Sequence, residues 1–155
     1  MKRTISVSAA ALAAALLLLG PAAAEAQIST SISGGPAGPT GDAADVAETG
    51  FTVQGRAGLS LILAGLHANA GFTRLSGKDS FDDADFFNVG AGAKVRLGPL
   101  FWVGANANYY AGGDIDNEVG IVPEVGASIG PLEAIADFKI TGDINFWSLR
   151  VGLSF

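Results

Sequence analysis

Eight charged side chains stand within otherwise apolar or small-residue stretches, and they are the clearest candidates for chemistry in this sequence. Acids and bases brought together at such positions could form a buried ion-pair network, an anion site or a charged conduit. Five of the eight are basic and three are acidic, which leaves a surplus of two positive charges. The eight are Arg56, Lys94, Arg96, Glu124, Glu133, Asp137, Lys139 and Arg150.

His67 is the only histidine and therefore the candidate general base that titrates near neutral pH. A hydrolase would also need a nucleophile and an orienting acid within hydrogen-bond reach. Ser60 is the plausible neighbour across a turn, and no acid is expected beside the two. We therefore predict no catalytic residues and no enzymatic activity.

Acidic residues cluster in two polar segments, where carboxylate oxygens could bind Ca²⁺ or Mg²⁺. Neither segment, DSFDDAD or DIDNE, matches a defined calcium-binding loop, so we predict a solvated acidic rim with divalent cations as loose partners at most. No metal centre and no cofactor are predicted. The weak candidate ligands are Asp79, Asp82, Asp83, Asp85, Asp114, Asp116 and Glu118.

The elements that must position these residues are β-strands, because apolar residues alternate with small or polar ones along much of the chain. The last ten residues are the clearest case, with Arg150 on the polar face. The apolar face there consists of Trp147, Leu149, Val151, Leu153 and Phe155.

Turn signals divide the alternating stretches into hairpins. Short turns near 64–65, 98–99 and 130–131 alternate with longer polar segments at about 35–49, 76–85, 112–118 and 142–144. This pattern predicts eight antiparallel strands, of which the first is the shortest because Gly34-Gly35-Pro36 should end it. The predicted strands are 27–34, 50–62, 66–75, 86–97, 100–111, 119–129, 132–141 and 145–155.

The N-terminus has the features of a secretory signal peptide. Lys2 and Arg3 precede an uncharged apolar run, and Ala24-Glu25-Ala26 offers a cleavage site. We predict residues 1–26 as the signal peptide and residues 27–155 as one domain. That domain has no cysteine and a net charge of −7, which excludes disulfides and argues against a nucleic-acid partner.

Strands of ten or eleven residues suit a membrane-spanning barrel, in which closure pairs every backbone polar group. Most aromatic residues lie near predicted strand ends, and we expect them to form two interfacial girdles. Apolar side chains would then face lipid and the eight charges would face the lumen. Counting from the turns places Glu124 opposite Asp137 and Arg150 diagonal to Asp137, so Arg150 should bridge the two carboxylates, assisted by Lys94 or Arg56.

The signal segment, the eight alternating strands, the short turns and long loops, and the ending FWSLRVGLSF resemble the small outer-membrane barrels of the OmpA/OmpX type and related porin-like domains. The resemblance implies a transmembrane up-and-down barrel in the outer membrane of a Gram-negative cell, in contact with lipid and lipopolysaccharide. It also implies that the barrel-assembly machinery recognises the last strand through Leu149, Val151, Leu153 and Phe155.

Together these features predict a monomeric outer-membrane barrel with a structural or interaction role, acting through membrane integrity and surface contacts of its acidic loops. A narrow passive channel for small solutes is the main alternative. A lipid-modifying barrel enzyme and a soluble lipocalin-like binder are further alternatives.

Overall fold

The computed structural model describes residues 27–79, 81–112, 117–142 and 145–155. The predicted signal peptide, residues 1–26, lies outside the described residues. Within them, eight antiparallel strands form one closed barrel in which each strand pairs with its sequence neighbours and the last pairs with the first. The predicted fold class is confirmed. The strands are β1 Gln27–Thr40, β2 Ala47–Ser60, β3 Ala64–Gly77, β4 Ala84–Arg96, β5 Phe101–Ala111, β6 Glu118–Ile129, β7 Leu132–Lys139 and β8 Asn145–Ser154.

One short helix, α1 (Ala43–Val46), lies in the connection between β1 and β2. In the described part of the chain, no helix has the length and hydropathy needed to cross a membrane.

The first strand is longer than predicted. It continues through Gly34-Gly35-Pro36 to Thr40 and pairs with β2 as far as Ala37. Pairing with β8 skips Gly35 and Pro36 and resumes at Ala37. The proline, which has no N–H, therefore falls where β1 is paired with β2 but not with β8. The expectation that the glycine-proline segment ends β1 was therefore wrong.

Strand register sets the tilt of the barrel. A path that starts at Gln27 and follows paired residues once around the barrel returns to β1 at Ala37, a stagger of 10 residues. The intermediate partners are Ser60, Gly65, Lys94, Gly104, Glu124, Asp137 and Ser148. In eight-stranded barrels this stagger accompanies a tilt of about 40°, at which an eleven-residue strand rises about 25 Å, the height of an outer-membrane apolar band.

Three short turns define one end of the barrel, which we call the turn end, and the opposite end carries the longer connections and is called the loop end. The first short turn comprises residues 61–63, earlier than the predicted Ala64-Gly65. The apolar run Leu61-Ile62-Leu63 reads as strand in the sequence, yet Ile62 and Leu63 are exposed at the turn end. The other two turns, residues 97–100 and 130–131, lie where they were predicted.

The two faces of the sheet differ in polarity. Outward-facing side chains on β5 to β8 are mainly Val, Ile, Leu, Phe and Ala, whereas the buried inward-facing side chains are largely Asn, Thr, Ser and charged residues. This arrangement is the reverse of a soluble barrel, whose apolar face lines the interior.

The aromatic side chains near the strand ends split between the two faces, which corrects the expectation that these residues form two outward girdles. Phe51, Phe72, Phe87 and Tyr109 are outward near the loop end, and the first three form a row of ring contacts with centroids 5.9 and 5.1 Å apart. Adjacent aromatic pairs cannot share a face in a strand, so one member of each must turn inward. The inward members are Phe86, Tyr110 and Phe146, together with Trp102 at the other end.

Candidate functional site

The centre of the lumen holds an ion-pair network between β2, β6, β7 and β8. Arg150 donates through Nη2 to Asp137, and the same nitrogen lies 3.8 Å from Glu124 Oε2. Arg56 donates to the same Glu124 oxygen from across the lumen. All four residues are at most 7% exposed. Because a buried charge is costly unless paired, the four side chains must be held together as one unit.

The strand register explains why these residues meet. Glu124 on β6 pairs directly with Asp137 on β7, and Asp137 pairs with Ser148 on β8. Arg150 is two residues beyond Ser148, so it lies on the same face and diagonal to Asp137. Arg56 approaches from the opposite wall. Arg150, the predicted bridging cation, thus contacts both carboxylates, and its predicted helper Arg56 contacts Glu124.

Lys139 extends the network toward the loop end. Its Nζ donates to Asp137 Oδ1 at 2.5 Å and to Ser148 Oγ at 2.9 Å, and Ser148 donates to the same Asp137 oxygen at 2.7 Å. The ammonium also lies 4.6 Å from the centroid of the Phe146 ring. Asp137 therefore accepts from two cations and one hydroxyl, which satisfies most of its hydrogen-bonding capacity.

Amide side chains continue the network around β2 to β5. Gln54 accepts from Arg150 and donates to Asn69 Oδ1 at 2.9 Å, and Asn88 donates to that same oxygen at 3.1 Å. Asn69 in turn donates to Asn106 at 3.4 Å. These amides were not among the predicted lumen residues, although each stands on the polar face of its alternating strand. Asn and Gln at alternate positions of a strand could have indicated that these amides face the lumen.

The turn end of the lumen has a second, smaller set of charges. Lys94 Nζ lies 3.5 Å from Glu133 Oε1 and 5.1 Å from the centroid of the Trp102 ring. The guanidinium carbon of Arg56 lies 5.9 Å from the same ring. Trp102 packs on Gly126, where a Cβ would overlap the indole. Glycine at that position leaves room for the indole between the two cations.

His67 is buried beside this set, and Nε2 lies 2.6 Å from Asn106 Oδ1. Glu124 Oε1 is 4.0 Å from Nε2, so the expectation that no acid lies near His67 was wrong. Ser60 hydrogen-bonds the Ser29 hydroxyl at 3.1 Å. Among the hydrogen bonds of the described residues, none joins His67 to Ser60. Ser60 and His67 therefore lack the hydrogen bond by which a base activates a nucleophilic hydroxyl.

An apolar cluster closes the loop end of the lumen. The rings of Phe86, Tyr110 and Phe146 pack edge to face, with centroids 5.1 to 6.3 Å apart. Leu75, Val122 and Ala37 complete the cluster, and its members are at most 2% exposed. An apolar cluster inside the barrel was not predicted from the sequence.

Arg96 lies apart from the other seven predicted charges. It is exposed at the turn end of β4, and within the described residues no ion pair of its side chain is found. Four cations therefore face three carboxylates inside the barrel. The interior has a surplus of one positive charge, where the sequence predicted two. Arg96 is exposed because it lies at the end of its strand, where the inward face of the sheet opens to solvent.

The acidic residues that the structure describes at the loop end do not converge. Asp85 forms a bidentate pair with Arg74 on the outer surface, and Asp83 accepts from the Gly77 N–H at 3.0 Å. Glu118 accepts from the Gly142 N–H at 2.9 Å. Among the described residues, no three His, Cys, Asp or Glu side chains are grouped as metal ligands. The remaining described candidates, Asp79 and Asp82, lie in the β3–β4 connection, and Asp114 and Asp116 lie outside the described residues.

The predicted assembly-signal residues all lie on or next to β8. Leu149, Val151 and Leu153 are exposed on its outer face, and Phe155 follows the strand with 75% of its surface exposed. The backbone of Phe155 exchanges two hydrogen bonds with Thr30, at 2.8 and 3.1 Å, which helps to close the barrel at the β1–β8 seam.

No protein-family model matches the sequence, and no curated protein sequence matches it significantly. Solved structures do match. The crystal structure of Neisserial surface protein A superposes with a TM-score of 0.58, covering 83% of this chain and 97% of that one at 14% identity. The chain has the fold of the small eight-stranded outer-membrane barrels.

Two further structures agree. A de novo designed transmembrane β-barrel matches with a TM-score of 0.52, at 12% identity, over 84% of this chain and 96% of the design. The Yersinia pestis outer membrane protein Ail, determined in a phospholipid bilayer nanodisc, matches with a TM-score of 0.52, at 16% identity, over 83% of this chain and all of that chain (100%). The architecture is therefore common to natural and designed membrane barrels.

Proposed function

We propose that this protein is a resident of the bacterial outer membrane with a structural and interaction role, and that it is not an enzyme. Its barrel would contribute to membrane integrity, and its acidic loops would make contacts at the cell surface. Residues 1–26 would direct export, and β8 together with the adjoining Phe155 would be recognised during barrel assembly.

The observation that carries this proposal is the filled lumen. From the turn end to the loop end, the interior contains the Lys94–Glu133 pair, the central ion network, the amide side chains and the apolar cluster. The central charges and the apolar cluster are almost wholly buried. Side chains that fill an eight-stranded barrel make it a packed core instead of a pore.

The outer surface supports placement in lipid. Val103, Ile121, Val125, Leu149 and Val151 are all exposed, at 39 to 64% of their surface. Exposed apolar patches larger than a few hundred Å² are rare on soluble monomers, whereas a spanning barrel requires one around its whole circumference. Outer-membrane lipid and lipopolysaccharide are therefore the partners proposed for this face.

The loops are the proposed surface for other partners. Asp42 and Asp45 lie in the β1–β2 connection, Asp79 and Asp82 lie in the β3–β4 connection, and Glu48 lies at the loop end of β2. Short turns face the periplasm and longer loops face outward in barrels of this class, so these acids would lie at the cell surface. Basic partner surfaces or divalent cations suit this charge, and nucleic acid does not.

A planar-bilayer measurement tests the structural role against the channel alternative. We expect the purified barrel to show no discrete conductance steps in 1 M KCl. A heat-modifiable gel shift of the protein recovered from the bilayer is the control for insertion of the folded barrel. Discrete conductance of the unmodified protein, at a level well above that of protein-free bilayers, would establish the channel and overturn the proposed role.

A further inference from the structure

The turn end of the barrel carries a patch of exposed apolar side chains on its first two turns, which we call the turn-end patch. Tight turns ordinarily contain polar residues, glycine and proline. The first turn instead contains the run Leu61-Ile62-Leu63, and the apolar residues Leu97 and Leu100 flank Gly98-Pro99 in the second turn. The patch consists of Ile62, Leu63, Leu97, Leu100 and Phe101, which are 43 to 74% exposed.

Arg96 lies between the two turns and carries the charge of the patch. Its backbone N–H donates to the carbonyl oxygen of Leu63 in the first turn at 2.9 Å, and the next residue, Leu97, donates to Phe101 at 2.8 Å. The Arg96 side chain is exposed. In the described part of the chain, it makes no hydrogen bond and no ion pair. The patch therefore combines exposed apolar surface with a guanidinium whose donors are available to a ligand.

The height of the patch on the barrel matches one edge of the membrane. Leu63 comes nine residues before Phe72, which belongs to the outward aromatic row at the loop end. At about 3.4 Å per residue and a tilt of about 40°, nine residues rise about 23 Å. The apolar band of an outer-membrane barrel is about 25 Å tall and has aromatic girdles at its edges. The patch therefore lies at the opposite edge of the band, where lipid headgroups meet acyl chains.

We propose that the turn-end patch binds an anionic glycerophospholipid, with Arg96 on the phosphate group and the apolar side chains against the acyl chains. The site requires the residence in the outer membrane proposed above, and it adds a specific lipid class at one end of the barrel. A guanidinium can donate two parallel hydrogen bonds to a phosphate group. Apolar side chains together with a cation are the combination that holds proteins at an anionic membrane interface.

The described residues of the loop end do not offer this combination. The exposed Arg74 already forms a bidentate pair with Asp85. Asp79 and Asp82 lie in the adjoining β3–β4 connection, and their negative charge repels an anionic headgroup. We therefore expect the anionic phospholipid at the turn end, in the leaflet that would face the periplasm.

Native mass spectrometry of the purified, folded barrel tests the site. The detergent micelles would contain equal amounts of phosphatidylglycerol and phosphatidylcholine with identical acyl chains. The two lipids share the phosphodiester group, but choline adds a positive charge that offsets it. We expect bound phosphatidylglycerol to exceed bound phosphatidylcholine about fivefold, the factor that one arginine near an anionic lipid surface contributes. Equal occupancy by the two lipids would overturn the site.

Two arginine variants locate the bound lipid. Arg96→Gln should bring the ratio of the two bound lipids close to one. Arg74→Gln makes the same change in charge at the loop end and should keep the preference for phosphatidylglycerol. A heat-modifiable gel shift shows that each variant remains folded. An unchanged preference in Arg96→Gln, or an equal loss of preference in both variants, would overturn the assignment of the lipid to the turn-end patch.

A fluorescence measurement tests the apolar part of the site. The chain has no cysteine, so Ile62→Cys provides a single attachment point for an environment-sensitive fluorophore. In phosphatidylglycerol vesicles, we expect brominated acyl chains to quench this label, and to leave unquenched a label attached through Asp82→Cys in the β3–β4 connection. Absence of quenching at both positions would overturn the site. A retained heat-modifiable gel shift and recovery in the membrane fraction would then leave the proposed outer-membrane residence intact.

Discussion

Replacing Arg150 with leucine is the sharpest perturbation of the central network, because this side chain contacts several strands at once. Arg150 donates to Asp137, to Gln54 and, at 3.1 Å, to Ser33. Breaking a buried pair by removing one partner costs about 3–5 kcal/mol. Asp137 keeps Lys139, so we expect the lower end of that range, about 3 kcal/mol.

The assay is reversible urea unfolding in phospholipid vesicles, followed by tryptophan fluorescence. Arg150→Lys is the matched control, because it keeps the charge beside Asp137 and loses the second hydrogen-bonding arm. We expect it to lose less than half as much free energy of unfolding as Arg150→Leu. An Arg150→Leu variant within about 0.5 kcal/mol of the unmodified barrel, the range of ordinary surface substitutions, would refute the role assigned to the network.

Three other substitutions probe packing and assembly. Gly126→Val should cost about 1–3 kcal/mol by displacing Trp102, measured by urea unfolding with a shift in tryptophan emission, whereas Gly55→Ala has its nearest atoms at 4.0 Å and should be neutral. Phe86→Ala should cost about 3–5 kcal/mol in the same assay by emptying the loop-end cluster. Phe155→Ala should slow assembly in pulse-chase experiments in cells while leaving refolding in detergent unchanged, and equal assembly rates would contradict the assembly signal.

The last strand and the general architecture could be predicted because period-two alternation is a direct consequence of strand geometry. β8 has its apolar face outward and Arg150 inward, as the sequence alone indicates. Turn residues such as Gly130-Pro131 then fixed the hairpin boundaries. Register followed from those boundaries, which is why Glu124 and Asp137 could be placed on adjacent strands.

The sequence predictions were wrong where closure of the barrel overrides a local sequence pattern. Gly35 and Pro36 read as a strand end, yet β1 continues because the proline falls at a gap in pairing with β8. A Cβ at Gly35 would overlap the carbonyl of Leu149, so glycine there permits close approach instead of a break. Arg96 is on the inward face, but it is exposed because it is the last residue of β4.

The apolar cluster and the amide network depend on side chains from strands far apart in sequence. Tyr110 meets Phe146 only after β5 and β8 are brought around the barrel, and a sequence pattern does not give that distance. Alternation nevertheless predicts that one ring of the adjacent pair Phe86 and Phe87 faces the lumen, because neighbouring residues in a strand face opposite ways.

Cell fractionation combined with a heat-modifiable gel shift tests the central claim, a closed barrel that spans the outer membrane, most directly. For a spanning barrel we expect recovery in the outer-membrane fraction, release only by detergent, and different electrophoretic mobility of boiled and unboiled samples. Recovery in the soluble fraction without detergent, with a single mobility in both samples, would contradict it.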